Sequence, residues 1–146
     1  MSLVYNIFIN QGGIPMSSKA LLHVTCKAII MFGNRILLLK KIINSYDGFG
    51  IWELPGGGME HKESPDQAIK REVYEETGIQ LQDVQVKSTF YIERENLDIV
   101  GIIYLTHVNS NEVILSDEHS AYAWVLLCDL DLYLSPTIQN DILKSV

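Results

Sequence analysis

The sequence predicts an α/β protein in which helices flank a mixed β-sheet, and three observations carry that expectation. β-branched and apolar runs recur along the chain with turn residues between them; one segment, Pro65 to Thr77, has both ends of a helix written into it; and no internal repeat or low-complexity tract appears. The 146 residues, 47% hydrophobic and 20% charged, suit one globular core.

Residues 1–20 read as an N-terminal arm, broken by Gly12-Gly13 and Pro15, with Met16 as an alternative native start; the domain is expected over 21–146. Leu22 to Phe32 and Arg35 to Ile42 are two β-rich runs, and Gly33-Asn34 between them is a hairpin turn signal. A loop containing Asn44, Asp47, Gly48 and Gly50 leads to Trp52-Glu53-Leu54-Pro55 and then to Gly56, Gly57 and Gly58, where the chain is expected to turn sharply. Ser64 is suited to cap the helix that follows: Pro65 takes the first helical position, Asp66 puts an acid in the first turn, and Gln67 completes a capping box. Gly78 supplies the C-terminal cap. Further β-like runs lie near Val84 to Ile92, Leu97 to Val108 and Tyr122 to Leu127, and a short helix is expected after Pro136.

The net charge of −7, with eleven scattered Lys and Arg, argues against bulk nucleic-acid binding, which needs clustered cations. An acidic chain acting on an acidic substrate would call for divalent cations to mediate the contact. Cys26 and Cys128 have no Cys or His neighbours at metal-site spacing, so both are expected to be reduced core residues of a cytoplasmic protein. No apolar stretch approaches the ~18 residues of a membrane span. The first basic residue is Lys19, so the positive leading region of a signal peptide is missing.

Within the expected helix, Glu72, Glu75 and Glu76 stand at i, i+3 and i+4 and can turn toward one spot. Two like charges at ~4 Å repel by about 4 kcal/mol at the effective dielectric of a protein surface. Either a hard cation offsets that repulsion, magnesium being suited to sit between carboxylates and phosphates, or the glutamates form a solvated face paired with Lys70 and Arg71. Ile69 and Val73, on the adjoining flank, are expected to pack onto the sheet.

The segment GGMEHKESPDQAIKREVYEETGI, Gly57 to Ile79, resembles the Nudix box at every specified position. The chance of such a match in a chain this size is on the order of 10⁻⁷ from average composition. Trp52-Glu53-Leu54-Pro55-Gly56 looks like the usual lead-in, and Glu118-His119 with Tyr122 and Trp124 looks like a segment near the far end of that domain, so the likeness runs from about Leu21 to Leu130. The resemblance implies a Nudix α/β/α sandwich around a mixed β-sheet and a metal-dependent pyrophosphatase.

Carried over position by position, it implies that Glu72, Glu75 and Glu76 bind metal with the carbonyl of Gly56, and that Glu63 and Arg71 orient those carboxylates. Glu72 is the leading general base and Glu118 the alternative, while His119 reads first as structural. The expected reaction is attack of an activated water on a phosphoanhydride, with Mg2+, or alternatively Mn2+, neutralising the phosphates. Lys40 and Lys41 are candidates for contact with the phosphate chain, and Tyr46, Phe49 and Tyr91 for stacking on a base.

Ser116-Asp117-Glu118-His119 with Tyr122 and Trp124 resembles dinucleoside tetraphosphate hydrolases and related nucleoside triphosphate pyrophosphatases, so the expected partner is a small-molecule nucleotide, a nucleoside triphosphate or a dinucleoside polyphosphate; a homodimer is allowed. No proline occurs between Pro65 and Pro136, where many ADP-ribose pyrophosphatases of the family carry one. The alternatives are an ADP-ribose or nucleotide-sugar pyrophosphatase, or a Nudix sensor that binds nucleotide without turnover. Trp124, alternating with Tyr122, is equally suited to filling the core.

Overall fold

A computed structural model describes residues 21–42 and 51–146. The elements, in chain order, are strands β1 (Leu21–Phe32), β2 (Arg35–Lys41) and β3 (Trp52–Glu53), helix α1 (Pro65–Thr77), strands β4 (Gln85–Ile92), β5 (Leu97–His107) and β6 (His119–Leu126), a 3₁₀ turn over Leu127–Leu132, and helix α2 (Pro136–Leu143). The expected N-terminal arm and the stacking candidates Tyr46 and Phe49 lie outside the described residues.

The strands form one mixed sheet in the order β3-β2-β1-β5-β4, with β6 on β2. β1 and β5 run parallel over eleven residue pairs, Leu21↔Leu97 to Met31↔His107, while the other strand pairs are antiparallel. The hairpin at Gly33-Asn34 pairs β1 with β2 only at Met31↔Ile36 and Phe32↔Arg35, after which the strands diverge. That divergence makes the site. The edge of β1 vacated by β2 is taken by the glycine loop: Ala28 N–H donates to Pro55 O, Cys26 N–H to Gly57 O, and Met59 N–H to Val24 O.

Two apolar clusters lie on opposite faces of the sheet. On one, Ala68, Ile69 and Val73 of α1 pack against Cys26, Ala28, Ile30, Leu37, Leu39 and Tyr104. On the other, Leu130, Leu134 and Ile142, from the 3₁₀ turn through α2, cover Ile29, Met31, Ile36, Leu38 and Val125. The result is a helix–sheet–helix sandwich, as expected. Alternate residues of β1 serve opposite clusters because strand side chains alternate between faces.

Both ends of α1 form as the sequence predicts. The Ser64 hydroxyl accepts from Gln67 N–H while the Gln67 side chain accepts from Ser64 N–H, and Gly78, at φ 70°, donates its N–H to Tyr74 O. Three features depart from expectation. Trp52–Glu53 pairs with Leu39 and Lys40 as a short strand, β6 begins at His119 rather than Tyr122, and Cys128 is exposed. Cys128 sits in the 3₁₀ turn, whose tight pitch gives it no stripe on the sheet, and Leu130 is buried there instead.

Candidate functional site

Backbone geometry sets the site first. Gly56 has φ 122°, and a Cβ there would collide with the carbonyl of Cys26 and stand 2.9 Å from Ile69 Cδ1. Only glycine allows the loop to lie this close to β1. At Gly57 a Cβ would stand 2.6 Å from Glu72 Oε2, so the carboxyl of Glu72 rests directly on the loop backbone.

Arg71 is the hub of one half of the site, part-buried except at Glu75. Its Nε and Nη2 donate to Oε1 and Oε2 of Glu63 at 2.8 and 3.0 Å, a two-pronged grip. Nη1 donates to Glu72 Oε1 at 2.9 Å and to Glu75 Oε2 at 3.1 Å, and Nη2 also donates to Gly58 O at 3.0 Å. Guanidinium has five N–H groups, and these five bonds use them all. The Arg71 hydrogen bond holds the Glu63 carboxyl below its usual range, helped by the Glu60 N–H, and Arg71 is itself pushed up by Glu63.

Glu76 faces the other way. It is 7% exposed, accepts from Gly56 N–H at 2.8 Å, and lies 3.8 Å from His119 Nε2. Burial pushes its carboxyl up to about 7, against the Gly56 N–H and the Lys27 charge, which lower it. His119 is almost wholly enclosed, with Nε2 also 3.4 Å from Glu53 Oε1 and Nδ1 3.5 Å from Ser116 Oγ. Glu53 in turn meets Lys27 Nζ at 3.2 Å. Lys27, Glu53, His119, Glu76 and Gly56 thus form a closed ring drawn from β1, β3, β6, α1 and the glycine loop.

The structure brings together Gly56, Glu63, Arg71, Glu72, Glu75 and Glu76. Lys70 does not pair with the glutamates as the solvated-face reading had it, and donates to Gln82 O instead. Lys41 Nζ comes within 4.0 Å of Glu53 Oε1, whereas Lys40 is half-buried on β2. Glu118 is exposed where β6 begins, its carbonyl accepting from Ile42 N–H. Tyr91 is on the edge strand β4, opposite Val100 and hydrogen-bonded to Asp98, with β5 between it and β1. Trp124 is half-buried, packed against the α1 cluster and tilted against Phe32, which fits a core role.

The sequence alone does not single out Lys27 or Glu53 as members of the site, and His119 reads there first as structural. One signal was present for Lys27: a lysine inside an apolar run, between Cys26 and Ala28, breaks the pattern of a buried strand. Cys26 itself is inert, its thiol pushed up to about 11 chiefly by burial.

The donors near the helix are carboxylate and carbonyl oxygens, the chemistry of a hard divalent cation. Glu76 is a buried carboxyl whose raised proton affinity a cation would reverse. Among the described residues no three His, Cys, Asp or Glu side chains stand close enough to hold an ion as they are. Arg71 lies between Glu72 and Glu75, and Glu76 turns to Gly56.

Residues 22–145 match the family model described as NUDIX domain. The nucleoside triphosphatase NudI of Salmonella heidelberg (strain SL476) is 32% identical over 108 residues, covering 66% of this chain and 77% of that protein. The 8-oxo-dGTP diphosphatase of Proteus vulgaris is 39% identical over 64 residues, 44% of this chain and 56% of that protein. Among solved structures, the MutT NUDIX hydrolase of Burkholderia pseudomallei superposes with a TM-score of 0.73 at 29% identity, covering 86% of this chain and 98% of that one. No helix among the described residues is long and apolar enough to cross a membrane.

Proposed function

This chain belongs to the Nudix hydrolase family, and from that premise we propose that it hydrolyses a phosphoanhydride bond of nucleoside triphosphates with Mg2+ as the working ion. The observation that carries this reading is the pair of carboxylate groupings along α1 and the loop before it: Glu63, Glu72 and Glu75 on the Arg71 fork, and Glu76 on the Gly56 amide. The preference for triphosphates is supported by relatives named as a nucleoside triphosphatase and an 8-oxo-dGTP diphosphatase.

In this reading Glu72, Glu75, Glu76 and the Gly56 carbonyl hold the metal. Bound there, the ion would neutralise phosphate oxygens and lower the pKa of the attacking water. Glu72 would be the group that accepts a proton from the attacking water. Glu63 and Arg71 keep the carboxylates in register, because an arginine whose five donors are spent within the protein has none left for substrate. Lys41, near Glu53 and partly exposed, is the better placed of the two lysines to meet a phosphate chain.

The test is phosphate or pyrophosphate release from a panel of ribo- and deoxyribonucleoside triphosphates, dinucleoside tetraphosphate and ADP-ribose, in magnesium with and without chelator. Magnesium-dependent turnover of triphosphates, lost in Glu72→Gln and Glu76→Gln with the fold intact, is expected. Turnover of ADP-ribose alone overturns the substrate reading. Tight binding without turnover of any compound overturns the catalytic one.

A further inference from the structure

Lys27 lies where the glycine loop meets the part-buried ring of Glu53, His119 and Glu76, and its ammonium is fully committed. Nζ donates to Gly56 O at 2.6 Å, to Leu54 O at 3.2 Å and to Glu53 Oε2 at 3.2 Å. An ammonium has three N–H donors, so none is left for a phosphate without breaking one of these bonds. The neighbouring loop carbonyls are held differently. Pro55 O accepts from Ala28 N–H, and Gly57 O accepts from Cys26 N–H and the Thr25 hydroxyl. Gly56 O, between them, is held by the Lys27 ammonium, and its 2.6 Å contact is the shortest of the three that Lys27 makes.

That carbonyl is the one which the proposed metal site needs. A carbonyl oxygen has two lone pairs, so an ammonium on one weakens it as a donor to a second cation, and the two positive charges repel across a few ångströms. Lys27 also holds Glu53, which reaches His119 and through it Glu76. The lysine is part of the loop's scaffold and a resident charge beside the carboxylates.

We propose that Lys27 is a positioning residue that sets divalent-cation affinity: its ammonium holds the Gly56 carbonyl and Glu53, and a divalent ion must compete with it for that carbonyl. The proposal rests on the metal-site reading above. It assigns Lys27 no contact with substrate or with the reacting atoms.

The test is Mn2+ binding to the nucleotide-free full chain, followed by electron paramagnetic resonance at fixed ionic strength, in wild type, Lys27→Met, Lys27→Arg and Glu72→Gln. Lys27→Met is expected to bind Mn2+ about tenfold more tightly, from the loss of one nearby positive charge, with half-maximal activation by Mg2+ shifting the same way. Lys27→Arg keeps the charge and is expected to stay within about threefold of wild type. Unchanged or weaker Mn2+ binding in Lys27→Met overturns the proposal. Lys27→Gln carries the same expectation and replaces Lys27→Met should that variant fail to fold. Loss of Mn2+ binding in Glu72→Gln with no gain in Lys27→Met rejects the role of Lys27 alone. Undiminished binding in Glu72→Gln rejects the metal-site reading and the proposal with it.

Discussion

Arg71 grips both carboxylate oxygens of Glu63, Nε to Oε1 at 2.8 Å and Nη2 to Oε2 at 3.0 Å, and the side chains are only 23% and 13% exposed. A lysine at position 71 could keep the charge but not the fork. Arg71→Lys is therefore expected to lower turnover about 100-fold through misplaced carboxylates, and to cost about 2 kcal/mol of stability from the lost charged bonds. Steady-state kinetics and urea denaturation measure the two effects separately. Turnover within threefold of wild type would show that the five-bond hub is dispensable.

The same pair fixes an acid limb of stability. The Arg71 hydrogen bond lowers the Glu63 pKa in the folded state below the unfolded value of about 4.3. A group depressed in this way stabilises the fold above its unfolded pKa, and the contribution disappears as the pH falls through the folded pKa. Wild-type stability should thus drop more steeply below about pH 4.3 than that of Glu63→Gln, whose amide does not titrate. Denaturant midpoints across pH 3 to 6 decide it, and parallel curves would reject the coupling.

Two neighbouring glycines should fail in different ways. At Gly56, with φ 122°, a methyl group meets the Cys26 carbonyl, a backbone atom of the central strand that cannot move aside. Gly56→Ala is expected to cost about 3 kcal/mol or more and to reduce soluble yield. At Gly57 the obstacle is the end of a flexible side chain, Glu72 Oε2 at 2.6 Å. Gly57→Ala should fold, lose less than about 2 kcal/mol, and drop in activity about 100-fold because Glu72 is pushed from the loop. Equal thermal shifts in the two variants would contradict the distinction.

Local signals were the ones legible in the chain. The Ser64–Gln67 capping box, the Gly78 cap and the Gly33-Asn34 hairpin turn each depend on residues within a few positions of one another, and each formed as expected. The site was half legible for the same reason: Glu63, Arg71, Glu72, Glu75 and Glu76 lie within fourteen residues of one loop and helix. The ring around Glu76 is not legible, because Lys27, Glu53 and His119 come from three strands that only the sheet brings together. β3 is not legible in the chain because two residues carry no periodicity, and its pairing with β2 at Leu39 and Lys40 is long-range. Cys128 departs from the usual burial of free cysteine because it sits in a 3₁₀ turn at the sheet's end.

Glu72 and Glu118 separate as candidates for the general base. Glu72 rests on the glycine loop at Gly57, while Glu118 is exposed beside Ile42, at the start of β6. Glu72→Gln should reduce kcat by about 10³-fold or more, combining a lost base with a lost cation donor. Glu118→Gln should keep turnover within about tenfold. A larger loss in Glu118→Gln, with the alkaline and acid limbs of the pH–rate profile altered in that variant alone, would move the base to the later loop.

Stability and chemistry can be separated at the far end of α1. Tyr104, 1% exposed on β5, donates its hydroxyl to Asp66 Oδ1 at 2.7 Å and so pins the first turn of α1 to the sheet. Its own ionisation is pushed up by burial and by Asp66, so the phenol remains a donor through the working range. Tyr104→Phe removes one bond to a charged acceptor and leaves the ring in place, which should cost about 1 to 2 kcal/mol. Asp66 is exposed and can be rehydrated, so no buried charge is stranded. Glu72 lies nearly two helical turns further along, and the Arg71 hub holds it independently. Chemical denaturation should therefore register the loss while kcat and KM stay within twofold of wild type; a fall in kcat with unchanged stability would mean that the tie positions the carboxylates as well as the helix.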